Sequence, residues 1–174
     1  MNNCSSIDAA HKSLGEFIIL FQWVEGKYRE IGWFIIDPER HNWPPKELRT
    51  ETNQKLIDQV TDLFIEVTNT YVFENGAEKA LEMQELRVLF HELRKYRNRL
   101  VHSAYVELKP GGELQGYVQS NPRVGVDPET GELLFNVEEF TAELVKGKMQ
   151  EYAPYIWRLS QIHMQLIHWF PFAR

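Results

Sequence analysis

Cysteine is almost missing from the 174 residues: Cys4 stands alone, so no internal disulfide can close and the cross-linked framework of small secreted domains is excluded. Long apolar runs are missing as well. Phe17 to Phe21 and Trp33 to Ile36 fall far short of the roughly 20 residues a membrane-spanning helix requires, so neither a transmembrane segment nor a membrane partner is expected. Met1 to His11 lacks the basic start, apolar middle and small-residue cleavage site of a secretory leader, and with a single thiol this makes a reducing, cytoplasmic setting the expectation. Positive charge is scarce: 19 Lys and Arg face 25 Asp and Glu, leaving a formal charge of −6. That balance argues against a broadly basic surface that coats nucleic acid and confines any such contact to a local patch. No repeat of fixed period and no low-complexity stretch is present, which sets aside solenoids and linkers.

What is present is apolar material, 43% hydrophobic with 13% aromatic, enough for one domain spanning 1–174 around a single core. Ile7, Ala10, Leu14, Phe17, Ile18, Phe21, Val24, Tyr28 and Ile31 follow the three-and-four spacing of one buried helix face, giving a first helix to about Ile36. Asp37-Pro38 and Trp43-Pro44-Pro45 end it. A second helix is expected from about Glu47 to Tyr71, with Leu48, Leu56, Val60, Leu63, Phe64 and Val67 inward, and Asn75-Gly76 as the turn that follows. The third runs from about Ala77 to Leu108, with Leu81, Leu86, Leu89, Phe90, Leu93, Tyr96, Leu100, Val101 and Ala104 as core positions, and stops at Pro110-Gly111-Gly112.

Between there and Phe140 the pattern changes. Glu113 to Gln119 and Glu132 to Val137 are short β-tolerant runs around the turn chemistry of Asp127-Pro128-Glu129-Thr130-Gly131, so a small hairpin insert, about 112–137, is expected. A last helix, about Glu138 to Trp169, carries Phe140, Leu144, Tyr152, Ile156, Leu159, Ile162, Leu166 and Ile167, with interruptions expected near Gly147 and before Pro154. The fold class expected is all-α: a four-helix up-down bundle with a small β-hairpin insert between the third and last long helices.

The third helix also carries Arg87, Arg94, Lys95, Arg97 and Arg99, and no acid falls between Leu93 and His102. A solvated helix face is the plain explanation of such a run. Its company suggests more. Asn98 and His102 lie four residues apart, about 40° around a helix, so they share a face, with Arg94 a further turn back. Arg97 and His102, five apart, diverge by roughly 140°. Histidine titrates near neutral pH, and arginine offers a permanent charged fork matched to phosphate oxygens. Metal-independent RNA cleavage needs a base for the 2′-OH, an acid for the leaving 5′-oxygen and a cation for the phosphorane-like charge. One motif holds one histidine, so the chemistry asks for an isologous homodimer with a composite cleft.

Tyr96-Arg97-Asn98-Arg99-Leu100-Val101-His102-Ser103 resembles the signature of the HEPN superfamily: an Arg, a polar residue, then a His after four to six intervening positions. Leu14-Gly15-Glu16-Phe17 through Val24-Glu25 is similar to that family's first helix. The resemblance implies a helical bundle, dimerisation that joins two motifs, metal-independent endoribonuclease activity without a cofactor, and a role as toxin or phage-defence effector held by an antitoxin or regulatory protein. It makes Arg97, Asn98 and His102 the catalytic candidates, with Arg94, Arg99 and Tyr96 as second-rank RNA-binding positions. In the branch whose toxins are silenced by nucleotidylation the modified Tyr stands two positions after the His. Here Ser103 and Ala104 follow and Tyr105 comes third, a departure from that branch. Two other readings stay open: a non-catalytic HEPN-like module that binds RNA or a protein, and a purely structural helical domain whose arginines pair with neighbouring acids.

The remaining signals carry little chemistry. His163 and His168 have no carboxylate or thiol at ligand spacing, and Lys95 holds the position where a zinc-protease pattern starting at His91-Glu92 needs its second histidine. Nothing beside Cys4 would activate it, and Ser103 lacks a glycine-flanked elbow. Gly111-Gly112 lacks the Lys-Ser or Lys-Thr of a triphosphate-binding loop. Trp23, Trp33, Trp43, Trp157 and Trp169 read as core or interface anchors rather than base-stacking platforms, several of them suited to a dimer seam.

Overall fold

The computed structural model describes residues 3–39, 41, 45–108, 116–121 and 136–170. Long helices dominate it. In chain order the elements are α1 (Asn3–Ile36), α2 (Lys46–Arg49), α3 (Asn53–Thr70), α4 (Gly76–His102), β1 (Ala104–Leu108), β2 (Gly116–Asn121), β3 (Asn136–Phe140) and α5 (Ala142–Trp169). The chain divides into two units, Leu20–Arg94 with Tyr152–Arg174, and Met1–Ile19 with Lys95–Glu151; α1, α4 and α5 each contribute to both.

In the Leu20–Arg94 unit the three-and-four pattern of the sequence becomes a core. Phe21, Val24, Tyr28 and Ile31 of α1, Leu56, Val60 and Phe64 of α3, Leu86, Phe90 and Leu93 of α4, and Leu159, Ile162 and Leu166 of α5 are all buried. Each such side chain contributes about 1.5–3 kcal/mol on leaving water, so the apolar faces outweigh weaker local preferences. The Tyr28 ring meets Phe90 edge-on at 5.8 Å, and Trp169 stacks on Phe73 at 4.5 Å. Polar clasps tie neighbouring helices at the rim. Arg87 donates through Nε to Asp58 Oδ1 at 2.7 Å and through Nη1 to Asp62 at 2.8 Å, and Arg158 reaches Glu82 at 2.8 Å and Glu85 at 2.7 Å.

In the other unit Ala10, Ser13 and Phe17 of α1, Leu100 of α4, Phe140, and Ala142 and Val145 of α5 are buried. The three strands form one antiparallel sheet in the order β1-β2-β3, with Ala104 opposite Ser120 and Tyr117 opposite Phe140. Thr141, just after β3, caps α5 by accepting the Leu144 amide on Oγ1 at 3.3 Å.

Four boundaries differ from the sequence expectation. The helix expected over 47–71 is two, α2 and α3, parted at Thr50 to Thr52, where Thr52 is extended (φ −64°, ψ 153°). The helix expected to reach Leu108 ends at His102, because the β-branched and aromatic run from Tyr105 gains more by pairing with β2 than by continuing the helix. The last helix starts at Ala142, leaving Phe140 on a strand, and it runs unbroken through Gly147 and Pro154. Pro154 is exposed, so water can serve the carbonyl that its missing N–H leaves unpaired. Cys4 lies within α1. The turn expected at 127–131, the loops at 42–44 and 109–112, Trp43, and the part of the insert at 113–115 and 122–135 lie outside the described residues.

Candidate functional site at the end of helix α4

The last turn of α4 is fixed by the groups that stop it. An α-helix leaves its last carbonyls without intrahelical partners. Two residues past the end supply donors: Ser103 Oγ donates to the Arg99 carbonyl at 2.5 Å, and the Tyr105 hydroxyl donates to the Leu100 carbonyl at 2.6 Å. Burial pushes the Tyr105 phenol up to about 12, assisted by the nearby Tyr96, and its ring packs edge-on against Phe140 at 5.0 Å. Tyr105 is thus bound into the helix end. Leu100, 1% exposed, pins the inner side of the turn, while Val101 and His102 stand exposed and Arg97 and Asn98 are half-buried.

The structure brings two of the three catalytic candidates together. Arg97 donates through Nη1 to Asn98 Oδ1 at 3.2 Å, so the guanidinium is drawn towards the face of α4 that Asn98 shares with His102. Because α4 is unbroken between positions 97 and 102, the two side chains still leave the helix about 140° apart. Among the described residues nothing hydrogen-bonds to the His102 ring. One chain therefore presents a cation held by an amide and, at the same helix end, an exposed imidazole; among the described residues no second imidazole or carboxylate stands on that turn to complete an acid–base pair.

The second-rank positions divide. The Arg99 guanidinium lies over the Tyr96 ring at 5.3 Å, Lys148 of α5 lies over the same ring at 5.8 Å, and Phe17 meets its edge at 5.2 Å. Tyr96 is thus the hub of a small cation–aromatic cluster that holds α1, α4 and α5 of this unit together. Lys148 and Phe17 lie far from the motif in sequence, and no local spacing links them to it. Arg94 belongs to the other unit, half-buried, with an Nε that has no hydrogen-bond partner among the described residues. Arg87, counted by the sequence in the same positive run, is neutralised by Asp58 and Asp62 and so drops out of the patch.

Other surfaces offer less. A groove of about 460 Å³ runs along α3, but Glu51, Asp58, Asp62 and Glu66 line it against one cation, Lys55, a field that repels phosphate. Lys27 bonds Glu30 at 2.5 Å and approaches His163 Nδ1 at 3.4 Å, which leaves His163 in an ion-pair cluster on α1 and α5. Among the described residues no three His, Cys, Asp or Glu side chains gather as metal ligands, and no helix is long and apolar enough to cross a membrane. Compared with known families, curated proteins and solved structures, the chain matches none.

Proposed function

We propose that this chain is a metal-independent endoribonuclease of the HEPN type, a cytoplasmic toxin or phage-defence effector that uses no cofactor and is restrained by an antitoxin or regulatory protein. In this reading 1–174 is one HEPN-like domain, its long helices running up and down and the β2–β3 hairpin inserted before the last. The observation that carries it is the Arg97–Asn98 hydrogen bond at 3.2 Å beside an exposed His102, which gathers a phosphate-binding cation and a proton-transfer group at one helix end.

A second copy completes the chemistry. His102 of one copy takes the proton from the RNA 2′-OH as that oxygen attacks the neighbouring phosphorus, and His102 of the other gives a proton to the departing 5′-oxygen. Arg97 binds the equatorial oxygens as charge builds on them, and Asn98 holds Arg97 in place. The products are a 2′,3′-cyclic phosphate and a free 5′-hydroxyl. His102→Ala and Arg97→Ala should each lower cleavage of total RNA by about 10²-fold or more, as expected for lost proton transfer or oxyanion stabilisation. Mapped ends should carry cyclic phosphates with or without chelator. Chelator-sensitive cutting, or variants that cut as well as the parent, would sink the assignment. One observation keeps the binding-module reading alongside it: no described group orients the His102 ring, and the same surface used for binding alone predicts RNA affinity without cleavage products.

A further inference from the structure

His102 has a neighbour on each side of its helix face. Asn98 stands about 40° round α4 from it, and Arg99, three residues before it, about 60° round the other way. The cation one turn from the imidazole is therefore Arg99, with α4 unbroken between them. Arg99 has company. Its Cζ lies 5.3 Å from the centroid of the Tyr96 ring and Lys148 Nζ lies 5.8 Å from the same centroid, so the two charges are no more than about 11 Å apart. One comes from α4 and the other from the early part of α5. Lys148 also donates to both carboxylate oxygens of Glu151, at 2.7 and 3.0 Å, which keeps its ammonium at the ring. Like charges drawn to one ring repel each other, and an anion that meets both relieves the repulsion.

We propose that Arg99 and Lys148 form a second phosphate site, which takes the backbone of an RNA strand next to the phosphate cut beside His102, with Tyr96 as its positioning residue. The choice of RNA rests on the function proposed above; the geometry of the pair does not. A guanidinium presents a planar fork to two phosphate oxygens and an ammonium a point charge, so the site grips backbone and reads no base. With two cations at the Tyr96 ring and Phe17 packed edge-on against it at 5.2 Å, that ring places the charges and is not a platform for a base. Glu151 competes with phosphate for Lys148. Its side chain is 54% exposed, and an exposed ion pair is weak enough to be exchanged.

Anisotropy titrations of a labelled single-stranded RNA test this on the full chain carrying His102→Ala, which leaves the probe intact. On that background Arg99→Gln and Lys148→Gln should each weaken binding about 5-fold at about 0.1 M salt. Each should also make the slope of log affinity against log salt shallower by about 0.7, the share of one single-strand phosphate. Tyr96→Leu should lose as much, whereas Tyr96→Phe, which keeps the ring, and Lys148→Arg should keep both values. So should Lys12→Gln, a control at an exposed lysine of α1. Glu151→Gln should tighten binding by about 2–5-fold, the reverse of what a merely structural clasp gives. Unchanged affinity and slope in Lys148→Gln, an equal loss in the control, weaker binding by Glu151→Gln, or a chain that binds no RNA would overturn the assignment. Cleavage by chains with His102 intact is read separately. There Lys148→Gln should raise KM with little change in kcat, since a contact away from the breaking bond holds substrate and transition state alike. A parent that binds RNA through Lys148 but never cuts removes the nuclease reading and leaves this site. Cutting with affinity and KM indifferent to Lys148 does the opposite.

Discussion

A methyl group at position 32 has nowhere to go. A Cβ built on Gly32 would stand 2.6 Å from Leu48 Cδ1 and 2.8 Å from Val60 Cγ2, so the close approach of α1 to α2 and α3 depends on the missing side chain. Gly32→Ala should therefore lower stability by about 1–3 kcal/mol in chemical denaturation, although alanine is the better helix former. No pattern in Ile31-Gly32-Trp33 reveals this, because the clash is with residues distant in sequence. Core positions were legible where apolar residues left one choice, as at Phe17, Phe21 and Phe90, all buried. They were misread where two choices competed. Leu81 is 65% exposed and Met83 fully buried, since a step of three back from Leu86 falls on the methionine and the stronger hydrophobe lies off the face. For the candidate site, spacing alone placed Asn98 and His102 on one face; the Arg97–Asn98 bond needed coordinates.

Between α3 and α4 the fold relies on one carboxylate with two donors. Asp58 Oδ1 accepts from Arg87 Nε at 2.7 Å and pairs with His91 Nε2 at 2.8 Å. Burial alone would raise the Asp58 pKa, but the His91 and Arg87 hydrogen bonds and charges outweigh it and hold the carboxyl below its usual range. A group with a depressed folded-state pKa stabilises the fold above its unfolded value, near pH 4, and that contribution disappears as pH falls through the lower folded value. Asp58→Asn should thus lower stability near neutral pH by about 1 kcal/mol and flatten the loss below about pH 4, as thermal melts across a pH series would show. A parent whose melts show no acid loss that Asp58→Asn removes would contradict this. Element type was readable for the long helices, where periodicity persists over many turns. Boundaries were less so: the end of α4 is set by a tertiary partner, strand β2 pairing with residues 104–108, whereas the Thr141 cap that starts α5 is local, three residues from Leu144.

At the scale of the whole molecule, charge sets how nucleic acid could be held. With −6 overall and Arg87 already paired, a phosphate chain would meet only the few cations around the end of α4. Neutralising about three phosphates of a single strand gives a slope near −2 in log affinity against log salt, far shallower than that of a broadly basic binder. Anisotropy titrations of a labelled RNA on His102→Ala at several salt concentrations measure it. A flat response would favour the structural reading of the arginine cluster, and a slope several times steeper would mean that a much larger surface takes part. The Ser103 and Tyr105 bonds to the end of α4 bear on the same encounter. Helix termini ordinarily fray, and a group on a frayed turn must be immobilised each time a ligand arrives. Here both fasteners come from the junction and the strand beyond it, so the turn that bears His102 loses its freedom when the chain folds and meets its ligand already still.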